Sequence, residues 1–574
     1  MQQEGSGAHL GSNFSKPICR MAKLFKGMNI QRMLSLLLLA FIIQTQPVLA
    51  QGNIPHLQKI GDKQQLVVNG KPFLMLAGEL GNSTASTMES MVPVWPRLKE
   101  LNLNTVLVPV YWELLEPEEG KFEYQLVEDL IKEARKHDLK LVLLWFGAWK
   151  NSMSSHAPAW VKVNQKRFPR AKSQSGESQE ILTPFSENNL KADLNAYQQL
   201  LRQTKKVNAA HQTVILMQPE NEIGMLPSAR DYHPAANQKF KEEVPQELMS
   251  YLVKNKKNLN PEFSAVWQKT GYKAKGTWEE VFGKGLPTDE IFMAYYFARY
   301  TDQVTAAGKK EYALPAFVNA ALNRPNAKPG EYPSAGPLPH ILDVWKAGSP
   351  HIDFYSPDFY NPQFKQWSDL YVRQGNPLFV PEHKFDNTIA AKALFAIGHY
   401  EALGFSPFSI EQVPGTPLNA MEQKLSKVYD VLHQIKPLLD KNRGQHRIEG
   451  VLLDKEVKEA TIVLGDYEFT AGHTFNLGWE PNAKAEEWEP AGAILIQTGD
   501  NEFYYAGFGV SLKMKNLKNP KARVGILKTD RGAFKDGKWT VYQHLNGDQT
   551  HQGRHIRSFV DDVSIQRFTL YEYE

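Results

Sequence analysis

Two short apolar runs in this chain end in glutamates. Val214-Ile215-Leu216-Met217 leads into Gln218-Pro219-Glu220-Asn221-Glu222-Ile223-Gly224, and Leu378-Phe379-Val380-Pro381 leads into Glu382-His383. Two carboxylates facing each other across a sugar are what glycosidic cleavage requires. One protonates the departing oxygen while the other attacks the anomeric carbon or activates water to do so. The acid must stay protonated near working pH, and burial beside a second carboxylate supplies that shift.

The elements around these runs are those of a barrel. Apolar strands are expected at Phe73–Ala77, Thr105–Tyr111, Lys140–Trp145, Thr213–Gln218, Pro315–Asn319, Ile352–Ser356, Leu378–Pro381 and Phe405–Ser409. Helical spacing lies between them, as in Leu126, Val127, Leu130, Ile131 and Ala134. Eight strands alternating with helices predict an α/β fold, a (β/α)₈ TIM barrel, with a doubly wound sheet as the alternative. Glu222 then follows strand four and Glu382 ends strand seven, nearly opposite each other on the face where barrel enzymes do chemistry. The long segment from Gly224 to Glu290 reads as a wall of that face. After the helical stretch Met421–Lys441 the pattern turns to short alternating runs, which predicts a C-terminal antiparallel β-sandwich domain. The expected organisation is a signal peptide over 1–50, a catalytic barrel over 51–441 and the β-sandwich domain over 442–574.

Three further segments resemble glycoside hydrolase family 35, the β-galactosidases. They are Ala77-Gly78-Glu79-Leu80, Tyr111-Trp112-Glu113-Leu114-Leu115-Glu116-Pro117, and Gln218 to Gly224 itself. Trp145 to Asn151 followed by Ala157-Pro158-Ala159-Trp160 is similar to the third-strand loop of this family and of family 42. Leu545-Asn546-Gly547-Asp548-Gln549-Thr550-His551-Gln552-Gly553-Arg554 resembles the domain that accompanies a bacterial branch of family 35. The resemblance implies a retaining exo-β-galactosidase that releases terminal galactose from plant-type oligo- or polysaccharides. Glu222 is implied as acid/base, Glu382 as nucleophile, and Asn221 as partner of the sugar 2-hydroxyl. Trp112-Glu113 stands where many members have Trp-Asn, so which hydroxyls Glu113 reads is left open.

Further substrate-binding candidates are Glu79, Trp112, Glu113, Trp149, Lys150, Asn151 and Tyr360, with Tyr355 the rival of Tyr360 for steadying the nucleophile. Glu411 binds substrate or is solvated, Glu220 makes an ion pair, and His383 and His399 are structural. Core packing is favoured over a carbohydrate platform for Trp479, Trp488 and Trp539. A β-glucosidase or arabinopyranosidase, and a non-catalytic glycan-binding protein, remain the alternatives.

The ends of the 574-residue chain bear on its compartment. Lys23, Lys26 and Arg32 precede the apolar run Met33–Ile43, and Val48-Leu49-Ala50 offers a cleavage point after Ala50, which predicts export to the periplasm or medium. The segment before Met28 is assigned no function. The single cysteine, Cys19, would be lost with the signal, leaving no disulfide, no thiol nucleophile and no thiolate metal site. The first 50 residues hold five basic side chains and one acidic one, the whole of the formal charge of +4. The remainder is neutral and offers no electrostatic case for nucleic acid. No cofactor, no metal and no stable membrane anchor are expected.

Overall fold

Eight strands that expose an apolar row on each face must be covered on both sides, and a closed parallel barrel does this without leaving an edge. The computed structural model describes residues 54–574; the expected signal sequence lies outside the described residues. The barrel strands are β1 (Met75–Glu79), β2 (Thr105–Tyr111), β3 (Lys140–Lys150), β4 (Val214–Asn221), β5 (Phe317–Ala321), β6 (Phe354–Phe359), β7 (Val380–His383) and β8 (Gly404–Pro407). They pair in parallel and in sequence order, β8 with β1 included. The Met217 N–H donating to the Pro315 carbonyl (3.0 Å) and the parallel Met217–Ala316 bridge join β4 to β5 and close the ring. Helices follow each strand: α1 (Val94–Glu100), α2 (Gln125–Lys136), α3 (Glu187–Asn208), α4 (Leu286–Glu311), α5 (Leu342–Gly348), α6 (Phe364–Tyr371), α7 (Ile389–His399) and α8 (Ala420–Asn442). All eight strands expected from the sequence are present, and this is the TIM barrel rather than the doubly wound sheet.

Alternation sorts the strand side chains into two cores. Met75, Ala77, Leu107, Val142, Leu144, Phe146, Phe317, Phe354 and Phe379 fill the barrel interior, where Phe317 and Phe354 stack at 5.3 Å. Val106, Val108, Val110, Leu141, Leu143 and Trp145 face the helices. The N-terminal strands His56–Ile60, Lys63–Val68 and Lys71–Phe73 form an antiparallel sheet whose Leu66 and Val68 join the interior core. The segment expected to wall the site folds as four short helices, Pro234–Lys241, Gln246–Asn255, Pro261–Gln268 and Trp278–Phe282. Gln246–Asn255 packs against α5 and Trp278–Phe282 against α4, so much of the insertion braces the barrel's flank.

Past α8 the chain is β structure. Strands β9 (Ile448–Leu453), β10 (Glu459–Leu464), β11 (Tyr467–His473), β12 (Ala491–Gln497), β13 (Glu502–Phe508), β14 (Val510–Asn516), β15 (Arg523–Lys535), β16 (Lys538–Leu545), β17 (Ile556–Arg557) and β18 (Ser564–Tyr573) form two antiparallel sheets. One runs β9-β12-β13-β18-β15-β16 and the other β10-β11-β14-β17. Phe469, Phe503, Tyr505 and Phe568 fill the space between them. Helix α7 is apolar apart from Lys392 and the terminal His399 because the barrel and these sheets both cover it. Backbones meet there: a Cβ on Gly398 would lie 2.7 Å from the Gly450 Cα. Trp539 is core, against Tyr504 and Phe534. No helix among the described residues is long and apolar enough to cross a membrane.

Candidate active site

The interior rows of the barrel end, at its C-terminal face, in polar side chains. On β1 the row Met75, Ala77 continues to Glu79, and on β3 the row Phe146, Ala148 continues to Lys150. On β5 Phe317 leads to Asn319, and on β6 Phe354 and Ser356 lead to Asp358. These four are buried, as are Asn221, Glu222 and Glu382. Oxygens of Glu222, Asp358 and Glu382 lie within 4.8 Å of one another.

Backbone irregularities aim the two principal carboxylates. Strand β7 shifts register between Val380 and His383. Phe379 therefore faces inward, Glu382 also faces inward, and His383 turns out to pack on Phe364 and Phe405. At the end of β4, Glu220 and Glu222 both take left-handed backbone angles (φ 62° and 44°), a costly conformation for non-glycine residues. Glu222 is held there from both sides. Its N–H donates to Asn319 Oδ1 (3.0 Å), its carbonyl accepts from Ser152 Oγ (2.9 Å), and its Oε2 accepts from Asn151 Nδ2. Asn151 reaches it from a two-residue turn at the tip of β3. Asn151 and Ser152 both have positive φ, and Lys150 and Met153 exchange backbone bonds of 2.7 and 2.9 Å.

Glu382 is steadied by two groups. Tyr360, whose side chain is otherwise half exposed, donates its hydroxyl to Glu382 Oε1, while Lys150 supplies positive charge. Lys150 Nζ also donates to Asn221 Oδ1 at 3.0 Å. Burial pushes the Glu382 carboxyl up to about 7, with repulsion from Glu222 as the second cause; the Lys150 charge and the Tyr360 hydrogen bond pull it back. Carboxyls this close hold their last proton as a pair. Burial likewise pushes Glu79 and Asp358 well above the usual carboxylate range, Glu382 being the largest repelling charge on each. Tyr355, the rival candidate, bonds Ser349 (2.9 Å) in the outer layer.

Removing either support of Glu382 moves its ionisation upward. Lys150→Met is expected to raise the acid limb of the kcat/KM profile by about one pH unit. Tyr360→Phe should shift it the same way and lower kcat on the order of 10–100-fold with little change in KM. A pH–rate profile of each variant checks this; an unmoved acid limb in both would detach these groups from Glu382.

Some expected site residues are placed elsewhere. Trp112 faces outward, donates to Glu116 Oε2 (3.0 Å) and packs on Trp145 and Trp160. Trp149 is likewise in the outer layer, against Phe297 and Tyr300, with its indole N–H on the Leu182 carbonyl (3.1 Å). Neither ring lines the pocket. Glu113 pairs with His156 (2.9 Å) and Lys162 (3.7 Å) on the short turn after β2. Glu411 is buried and accepts from the Gly81 N–H (3.0 Å) and the Thr84 hydroxyl, tying the β1 and β8 loops together. Glu220, expected in an ion pair, makes none among the described residues. It points away from the pocket, accepts from the Trp149 N–H (2.7 Å) and abuts the carboxyl of Asp193, and burial with that repulsion pushes it well above its ordinary value. His383 accepts from Lys392 Nζ (3.1 Å) and has its basicity lowered to about 3, chiefly by burial, which fits a structural role. His399 pairs with Glu449 of β9.

Asn319 and Asp358 are the site residues missed in the sequence. Asn319 joins the site's halves, donating to Asp358 Oδ2 (2.6 Å) while accepting from Glu222. Their signal is a polar residue that closes an interior row begun by a phenylalanine, Phe317 on β5 and Phe354 on β6. The three clustered carboxylates are also the donor type a hard divalent cation takes.

Glu79 carries a stability cost. Its native carboxyl holds a proton more tightly than the unfolded value of 4.5, so the native state binds more protons above that pH and loses stability as pH rises. Glu79→Gln is therefore expected to raise Tm by roughly 2–4 °C at pH 8 and to change it little at pH 4.5. Thermal melts at both pH values check this; equal effects at both would contradict the buried-charge account.

Residues 65–289 match the model for glycosyl hydrolases family 35, and residues 425–557 match a domain of unknown function, DUF5597. The family expected from the motifs is the one the barrel segment matches. Over 71 residues (12% of this chain and 8% of the relative) the sequence is 35% identical to beta-galactosidase 13 of Arabidopsis thaliana. Similar solved structures include the beta-galactosidase from Bacillus circulans sp. alkalophilus, with TM-score 0.44 and 13% identity over 63% of this chain and 56% of that one. Another is the beta-galactosidase from the psychrophilic Marinomonas ef1, with TM-score 0.43 and 13% identity over 65% and 60%. The chain thus spans 8% of the curated relative and less than two thirds of either structure.

Proposed function

We propose that this chain, whose residues 65–289 carry the glycosyl hydrolases family 35 match, is a retaining exo-β-galactosidase that releases terminal galactose from oligo- or polysaccharides. The observation that carries the reading is the convergence of Glu222 and Glu382, with carboxylate oxygens inside 4.8 Å. The covalent route uses carboxyls roughly 5–5.5 Å apart, whereas an inverting water needs roughly 6.5–9.5 Å.

In this mechanism Glu382, ionised and steadied by Tyr360 and Lys150, attacks the anomeric carbon from the α face. Glu222 gives its proton to the departing oxygen, leaving a galactosyl ester on Glu382. Water then enters on the vacated side, Glu222 takes its proton, and the C1–Oε bond to Glu382 breaks, returning a β-sugar. Asn221, locked by Lys150, meets the 2-hydroxyl as charge develops at C1. Buried Glu79, with one oxygen that finds no partner among the described residues, accepts from a sugar hydroxyl. The preference for galactose rests on the family match. The same reading keeps the catalytic unit at 51–441, the accessory domain at 442–574, and export with a mature chain beginning at Gln51.

Initial rates on p-nitrophenyl glycosides of both anomers test it. The expected result is a strong preference for the β-galactoside; preference for another β-glycoside would keep the mechanism and overturn the sugar. Turnover is expected to survive EDTA unchanged, and loss restored by a divalent cation would place a metal on the three carboxylates.

A further inference from the structure

The domain matched as one of unknown function meets the barrel in a cleft of about 580 Å³, within the range of ligand pockets. Its barrel wall includes Asn387, five residues beyond Glu382 on the β7–α7 loop, and Met421 in the first turn of α8. Both belong to the end of the barrel that carries Glu222 and Glu382. The opposite wall is Trp488, Glu489 and Asp561. Lys424 spans the two walls, pairing with Glu489 and lying 3.8 Å from Asp561.

Trp488 is only partly covered. His473 lies 4.8 Å from its ring, Phe475 meets it edge-on at 5.6 Å and the Lys458 ammonium lies 5.4 Å over it, while its indole N–H finds no acceptor among the described residues. The same two segments, 473–490 and 555–563, also carry an exposed stripe. Trp479 is 50% exposed, the Arg557 guanidinium lies 4.5 Å over its ring, and Phe559, 39% exposed, sits 5.1 Å from that guanidinium. The stripe is joined to the cleft by backbone. The Gly509 N–H donates to the Phe559 carbonyl (3.1 Å), and the Gly509 carbonyl accepts from Thr474, the neighbour of His473.

Charge decides the class of ligand. Lys424 and Lys427 oppose Glu487, Glu489 and Asp561, so neither a polyanion nor a polycation is favoured. Flat aromatic faces set among mixed donors and acceptors suit a neutral glycan, whose apolar faces stack on indole while its hydroxyls bond side chains. We infer that this junction is a glycan-binding subsite, which holds the part of a polysaccharide beyond the galactose being released. The inference rests on the proposed glycosidase activity and gives the C-terminal domain a role in it.

The test is native affinity electrophoresis of the full chain in gels containing arabinogalactan, β-1,4-galactan or galactosylated xyloglucan, with p-nitrophenyl β-galactoside rates measured alongside. At least one polymer should retard the protein, Trp488→Ala and Trp479→Ala should each weaken that binding about tenfold, and rates on the small galactoside should stay within twofold. No retardation by any polymer, or retardation unchanged in both variants, would overturn the subsite while galactoside turnover left the function standing. Tryptophan-dependent binding without turnover of any glycoside would instead sink the enzyme assignment and keep the subsite.

Discussion

Glu382→Gly is expected to lower turnover of β-galactosides by at least about 10³-fold, because the proposed galactosyl-ester step loses its nucleophile. The variant should fold, since it removes a carboxyl that is repelled by Glu222 and raised by burial. It also leaves a gap on the α face of the sugar. Azide or formate entering that gap is expected to restore part of the turnover, and with azide the product should be the α-galactosyl azide. Product analysis by NMR checks both points; near-normal activity, or a β-azide product, would contradict the assignment.

Glu222→Ala removes the proposed acid/base and should behave differently. On substrates with poor leaving groups the loss is expected to be roughly 10²–10⁴-fold, the usual worth of general acid–base assistance. With 2,4-dinitrophenyl β-galactoside the first step needs no protonation, so the ester on Glu382 forms and then waits for water that nothing activates. Azide requires no base, so it should raise the rate and appear as the β-galactosyl azide, opposite in configuration to the product of Glu382→Gly. Finding the same anomer from both variants would mean that the two glutamates do not lie on opposite faces of the sugar. The supports of Glu222 predict a graded version of this loss, since Asn151, Ser152 and Asn319 hold it in a left-handed conformation that few residues adopt unaided.

The strands were legible because each is a short apolar run followed by a helical period, and Glu222 and Glu382 because each ends such a run. Alternation along those strands carried more information than the run ends alone. Once Phe354 and Phe317 face inward, Asp358 and Asn319 must as well, and once Tyr111 ends the interior row of β2, Trp112 must face the helices. Trp149 and Lys150 part the same way, one out and one in. Trp112 and Trp149, expected to bind substrate, fall on the outward side of this parity.

Other features lie beyond parity. Glu382 points inward only because β7 shifts register, and Glu220 turns outward only because its φ is positive; both are local departures that no residue pattern announces. Asp193, the acid against Glu220, comes from α3 and is brought there by the packing of that helix on β3. The cleft at the domain junction is likewise a product of tertiary packing between segments at least 30 residues apart in sequence.

In the proposed mechanism Glu382 bonds to the sugar. Incubating the full chain with 2-deoxy-2-fluoro-β-galactosyl fluoride, followed by peptide mass spectrometry, tests this bond. One fluorogalactosyl group per chain is expected, on the peptide bearing Glu382, with activity lost in step with labelling. A label on Glu222 or Asp358, or full activity in a chain that never becomes labelled, would contradict it.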